Sequence, residues 1–169
     1  AMSEAGVPDP ADMRRQYSRG ALREEDVAAD PVAQFTAWFR EAVDAKVPEP
    51  NAMTLATAGA DGRPAARTVL LKHFDERGFT FFTNLSSAKA RQLGENPRAA
   101  LLFPWLTLER QVTVGGTVER LSAAETLRYF VTRPRDSRIA AWASRQSAPL
   151  SSRQVLEMEW QALRRKFAA

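Results

Sequence analysis

The chain has 169 residues, with 24 basic and 20 acidic side chains, a net charge of +4, one histidine and no cysteine. The lack of cysteine excludes a disulfide framework, an iron–sulfur centre and a thiolate zinc site, and the lone His73 excludes a histidine-rich metal site. A chain of this length buries about 70% of its unfolded surface, enough for one core, and so mild a charge suits an anionic small molecule without requiring a polyanion.

Residues 1–12 carry Glu4, Pro8, Asp9, Pro10 and Asp12 with little apolar content and read as a mobile tail ahead of a single domain over 13–169. Residues 13–22 (MRRQYSRGAL) form a basic arm with one aromatic, either a plain surface segment or an arm that folds over a ligand. Asp30 followed by Pro31 is a helix start, with a side-chain cap and then proline in the first helical position. Val32, Phe35, Trp38, Phe39, Ala42 and Val43 recur at helical spacing, which predicts a helix to about Ala45 that buries this stripe.

The period then changes. Strands are expected over 52–58, 66–72 and 79–83, with turns at Asp61-Gly62 and over 75–78. Ser86 or Ser87 caps a short helix to about Glu95, closed by Asn96-Pro97. Three more strands are expected over 98–105, 110–115 and 117–121. Most gaps are too short for parallel crossovers, so the pairing is mainly antiparallel. Six such strands suggest a small closed or split barrel with flanking helices. Ser122 with Glu125 is a capping box for a helix to about Thr132, 139–143 is apolar and helical in character, and Ser151 with Gln154 opens a last amphipathic helix. The longest apolar run, about 99–103, is far short of the ~20 residues of a membrane span, and the first 25 residues lack an apolar signal core, so a cytoplasmic protein is expected.

Nucleotide-binding glycine motifs, a nucleophile elbow and a zinc-protease helix are all absent. What remains is basic and amide chemistry. Arg67 and Lys72 stand at the two ends of an apolar strand, on opposite faces if the strand is ideal; each reads as a barrel-edge charge or a ligand contact. Ser86, Ser87 and Lys89 gather hydroxyls and an ammonium at a helix start, where unpaired amides and the helix dipole favour an anion. Tyr129 and Arg133 lie four apart on one helix face with Ser137 close behind, donors suited to a phosphate dianion or simply a solvated basic turn. Gln111, Gln146 and Ser147 have no evident structural duty, and His73 has no partner visible in the sequence.

Taken jointly, MRRQYSRGAL at 13–22, ADP at 29–31, RTVLLK at 67–72, FFTNLSSAKA at 81–90, LLFPW at 101–105, LERQV at 108–112, YFVTRPRDSRIAAWAS at 129–144 and RQS at 145–147 make the chain resemble the pyridoxine (pyridoxamine) 5′-phosphate oxidase family of flavin enzymes. The resemblance implies an FMN-binding split barrel and a homodimer with FMN at the interface. It implies oxidation of pyridoxine or pyridoxamine 5′-phosphate to pyridoxal 5′-phosphate with dioxygen as acceptor. By the same resemblance Arg67, Thr68, Val69, Leu70, Leu71, Lys72, Phe82, Thr83, Lys89, Gln111, Gln146 and Ser147 contact FMN. Arg14, Arg15, Gln16, Tyr17, Lys72, Tyr129, Arg133 and Ser137 contact the phosphorylated substrate. No metal, nucleic acid or membrane partner is implied, and no residue stands out as a general base. Two departures stand against the family pattern. Ala88 replaces a frequent second basic residue before Lys89, which weakens the expected grip on the flavin phosphate. The family also continues with a tryptophan-containing segment and an Arg-x-His motif where this sequence stops, so a truncated chain that binds ligand and turns over poorly is expected. The competing readings are a non-catalytic flavin or pyridoxal-phosphate binder of the same fold, and a related flavin oxidase such as a phenazine-pathway enzyme. A nucleic-acid-binding barrel would need aromatics facing solvent among the basic residues, whereas Phe79, Phe81 and Phe82 fall in a strand that reads as core.

Overall fold

The computed structural model describes Ala11, Met13, residues 16–18 and residues 21–132. The helices expected over 139–143 and from Ser151 onward, and the expected tail apart from Ala11, lie outside the described residues. No helix among the described residues is long and apolar enough to cross a membrane. The chain divides into two compact units, one up to Pro50 together with Pro104–Gln111, the other Asn51–Phe103 together with the residues from Val112.

The first unit is organised by helix α1, Pro31–Asp44. The Asp30 carboxylate accepts from the Val32 and Ala33 amides at 3.3 and 2.9 Å, which satisfies two of the amides a helix start leaves open. Phe35 and Ala42 are buried. The rings of Phe35 and Phe39 lie 5.8 and 6.3 Å from that of Trp105, whose indole N–H donates to the Pro50 carbonyl at 2.9 Å. Fully burying side chains of this size is worth about 1.5–3 kcal/mol each. The apolar stripe stops one residue earlier than the sequence suggests. Val43, in the last turn before the helix ends at Asp44, is 49% exposed.

Most of the sheet lies in the second unit. The strands of the sheet are β1 (Ala52–Ala58), β2 (Pro64–Asp75), β3 (Gly78–Phe81), β4 (Arg98–Trp105) and β5 (Arg110–Thr117), in the order β3-β2-β1-β4-β5. The sheet is antiparallel and curled, with Thr54 opposite Thr68, Leu55 opposite both Arg67 and Leu101, and Phe74 opposite Phe79. Strand β1 alternates strictly, burying Met53, Leu55 and Thr57. Gly62, at a φ of 71°, closes the expected Asp61-Gly62 turn in a conformation that suits glycine. Helices α2 (Ala88–Glu95) and α3 (Ala123–Thr132) flank the sheet. At the start of α3 the Ser122 hydroxyl and amide donate to Glu125 at 2.7 and 3.0 Å, the expected capping box.

There are five strands among the described residues, not six. The segment expected over 117–121 is not a separate strand. Strand β5 runs on through Gly115 and Gly116 to Thr117, since neither glycine sits in a turn, and residues 118–120 have no strand pairing. Strand β2 extends beyond 66–72 at both ends, and β3 stops at Phe81, so Phe82 and Thr83 stand in the loop that leads to α2. Where β2 meets β3 the register shifts. Leu71 is opposite Phe81 and His73 opposite Thr80, which leaves Lys72 as the extra, bulged residue.

Candidate functional site

The second unit gathers two of the expected cations around one group of hydroxyls and amides. Arg67 points from β2 across β1. Its Nη1 donates to Thr57 Oγ1 at 2.6 Å and to the Leu55 carbonyl at 3.1 Å, and its Nη2 donates to Gln92 Oε1 at 3.1 Å. Thr57 Oγ1 donates in turn to Gln92 Oε1 at 2.7 Å. Every one of these acceptors is neutral, so the guanidinium keeps its charge. Burial pushes Arg67 below its ordinary value, though an arginine stays protonated throughout the working range.

Lys89 stands in the first turn of α2 and is buried. Its ammonium donates to Thr83 Oγ1 at 3.1 Å, and that hydroxyl lies 3.3 Å from the fully buried Ser87 hydroxyl. Ser87 is the helix cap, accepting from the Ala90 amide at 3.3 Å. The lysine is held below its usual value, first by burial and then by the positive charge of Arg67. Two cations close enough to disfavour each other, at a helix N-terminus lined by hydroxyls, form an arrangement that a phosphate dianion would stabilise. The helix is fixed at its other end too, where Glu95 Oε2 accepts from the Ala60 amide at 3.0 Å.

A second convergence joins Phe82, expected at the cofactor, and Tyr129, expected at the substrate. Their rings stack with centroids 3.7 Å apart and planes 8° from parallel. Lys72, on the bulge, is exposed, and so is Thr68, whereas Leu71 is buried and Val69 and Leu70 are half-buried. His73 has a partner the sequence did not reveal, Asp75 at 3.5 Å. Arg77 pairs with the same Asp75 at 3.1 Å and with Glu125 at 3.6 Å. In the first unit, Gln111 is exposed on β5, and Gln16 and Tyr17 are exposed on the arm, where the Ser18 amide donates to Glu109 at 2.9 Å. Arg14, Arg15, Arg133, Ser137, Gln146 and Ser147 lie outside the described residues. Sequence reasoning missed Thr57 and Gln92. The signal for Gln92 was its spacing three residues after Lys89, which places both on one helix face, and for Thr57 it was a polar residue on the buried phase of β1.

The family described as pyridoxamine 5′-phosphate oxidase matches residues 39–167. A protein of Burkholderia lata named pyridoxine/pyridoxamine 5′-phosphate oxidase is 59% identical over 157 residues, 93% of this chain and 73% of that one. Its namesake in Cupriavidus necator is 60% identical over 157 residues, again 93% of this chain and 74% of the other. Among solved structures, PhzG from Burkholderia lata 383, in complex with tetrahydrophenazine-1-carboxylic acid, superposes with a TM-score of 0.83 at 30% identity over 88% of this chain and 75% of that one. A pyridoxamine 5′-phosphate oxidase-related, FMN-binding protein from Nostoc punctiforme shares the fold, with a TM-score of 0.60 at 20% identity over 78% and 73% of the two chains. The curled antiparallel sheet is thus that of the FMN-binding split barrel, and the chain belongs to the pyridoxamine 5′-phosphate oxidase family.

Proposed function

We propose that the chain is an FMN-dependent oxidase that converts pyridoxine 5′-phosphate and pyridoxamine 5′-phosphate to pyridoxal 5′-phosphate, with dioxygen as acceptor. The observation that carries this reading is the Arg67–Lys89 pair, two buried-to-half-buried cations in one polar cluster whose Arg67 member is bound only to neutral oxygens. The fit to FMN can be judged from the donors present. A phosphate monoester carries a charge near −2 at neutral pH and needs several strong donors. Of the five N–H donors of Arg67, three are engaged and two remain. Lys89 adds an ammonium and the Ser87-capped helix adds its positive end. The residues fit the phosphate end of the cofactor.

In this reading Arg67, Lys89 and Thr83 would hold the flavin phosphate at the helix start that Ser87 caps, and residues 68–72 would contact the flavin. When bound, FMN would supply a two-electron acceptor for the substrate, with dioxygen as the final oxidant. The chain's part is to bind and orient. Tyr129, Arg133, Ser137 and Lys72 hold the substrate phosphate, and the Phe82–Tyr129 stack fixes the Tyr129 ring. The arm over 14–17 covers the substrate. Gln111, Gln146 and Ser147 complete the flavin contacts. A homodimer with FMN at the interface belongs to the same reading, supported by the family and by the exposed Leu85 and Leu127 of the second unit.

A second reading has an observation of its own. The likeness to PhzG favours a flavin oxidase acting on a reduced phenazine carboxylate. The two separate on substrate. The FMN-loaded protein should release peroxide, ammonia and pyridoxal 5′-phosphate when given pyridoxamine 5′-phosphate, with water supplying the aldehyde oxygen. Peroxide with tetrahydrophenazine-1-carboxylic acid and none with either phosphorylated vitamer would favour the second.

A further inference from the structure

The hydrogen bonds around Arg67 close into a ring. Nη1 donates to Thr57 Oγ1, Thr57 Oγ1 donates to Gln92 Oε1, and Nη2 donates to the same Gln92 Oε1. The chemistry of the three groups permits one arrangement only. Arginine can only donate, so the Gln92 atom that faces it must be the amide oxygen, whose two lone pairs then serve Arg67 and Thr57. The Thr57 hydroxyl spends its one proton on Gln92 and so meets Arg67 as an acceptor. The Leu55 carbonyl takes the second Nη1 hydrogen. What is left is Nε–H and one hydrogen on Nη2, neighbours on one edge of the guanidinium plane and spaced for two oxygens of one phosphate.

We infer that Thr57 and Gln92 are positioning residues that lock the roll of the Arg67 guanidinium, so that its Nε–Nη2 edge is presented to a phosphate monoester. The inference rests on the proposed function, which makes that monoester the phosphate of FMN. Neither residue needs to touch the ligand. Both act through Arg67, and Gln92 carries the lock to the helix that also supplies Lys89. Without the ring, Arg67 would be held by the Leu55 carbonyl alone, and its remaining donors would not be aimed.

Riboflavin, which is FMN without its phosphate, separates this role from a purely structural one. Affinities of the 169-residue chain for FMN and riboflavin are measured by flavin fluorescence for the parent, Thr57→Val, Thr57→Ser, Gln92→Leu and Arg67→Ala, and for Thr57→Val and Gln92→Leu each combined with Arg67→Ala. Thr57→Val and Gln92→Leu should each weaken FMN about tenfold while riboflavin changes by less than about twofold. Thr57→Ser, which keeps the hydroxyl, should restore FMN binding. On the Arg67→Ala background neither substitution should cost anything further, since the group it positions is gone. Gln92 is half-buried and on a helix surface, so Gln92→Leu carries the test if Thr57→Val does not fold. Equal losses for FMN and riboflavin would overturn the inference, as would a full loss that persists without Arg67. If Arg67→Ala abolishes the preference for FMN while Thr57→Val and Gln92→Leu keep it, this inference alone falls. If Arg67→Ala keeps the preference, the phosphate assignment falls with it.

Discussion

Arg67→Ala tests the flavin-phosphate assignment at its strongest point. The guanidinium has two donors left for a ligand, and charge-assisted hydrogen bonds are worth about 1.5–3 kcal/mol. The loss should not reach twice that figure. Removing Arg67 also removes the positive charge that depresses Lys89, so the lysine becomes the stronger partner of the phosphate. A net loss of about 1.5–3 kcal/mol is expected, which is roughly a 10- to 150-fold weaker FMN complex. The fold should lose less, because Thr57 and Gln92 still bond to each other at 2.7 Å when the guanidinium is gone. A cost of about 1–2 kcal/mol, a few degrees in Tm, is expected for the remaining unsatisfied acceptors. Arg67→Lys should recover only part of the affinity, since an ammonium is a point charge without a planar edge. Titration of apo-protein into FMN, followed by fluorescence, gives the affinity, and thermal melting by circular dichroism gives the stability. A folded Arg67→Ala protein with the parent's FMN affinity would show that Arg67 does not hold the flavin phosphate.

FMN affinity should fall at both ends of the pH range. In acid the phosphate loses its second charge near pH ~6. In alkali Lys89 loses its proton, and because its value is lowered this should begin below the range of an ordinary lysine; Lys89→Arg should remove the alkaline fall, as a titration across pH would show. The same lowering means that the unfolded chain binds the Lys89 proton more tightly, so this residue's contribution to apo-protein stability should rise as pH climbs through its folded value. Tyr129→Phe preserves the ring stacked on Phe82 and removes only the hydroxyl, so it should raise KM for pyridoxamine 5′-phosphate about 10- to 150-fold with FMN affinity unchanged, the worth of one hydrogen bond to a charged group. Trp105→Ala empties the ring cluster with Phe35 and Phe39 and leaves the Pro50 carbonyl without its donor, so denaturant unfolding should show a loss of about 3–5 kcal/mol.

Local chemistry was legible in the sequence wherever one residue type sets the backbone. Asp30-Pro31, Ser122 with Glu125 and Asp61-Gly62 each name their own structure, and each occurs where expected. The strand over 98–105 was legible to the residue, with Asn96-Pro97 marking where it begins. The end of β5 was not. Paired glycines read as a break, yet with no turn geometry imposed the extended backbone continued through them. The bulge at Lys72 was hidden because register is decided between strands, by the fit of β2 against β3, and not within either segment. In the site, Arg67 and Lys89 could be singled out as charged residues beside apolar strands and helix caps. Thr57 and Gln92 carried only faint signals, a polar residue on the buried phase of a strand and a spacing of three from Lys89, which stay ordinary until the fold brings them to one guanidinium. The stack of Phe82 on Tyr129 joins residues 47 positions apart and could not be inferred from either neighbourhood alone.

The proposed function requires that this chain hold FMN and use it to oxidise a phosphorylated vitamer. The most direct measurement is the visible spectrum of the FMN-loaded protein without oxygen, before and after pyridoxamine 5′-phosphate is added. The oxidised flavin band should bleach on addition and return when air is admitted, with pyridoxal 5′-phosphate and peroxide formed in equal amounts. A protein that retains no flavin, or one whose flavin band is unmoved by either phosphorylated vitamer but bleaches with tetrahydrophenazine-1-carboxylic acid, would contradict the proposed function.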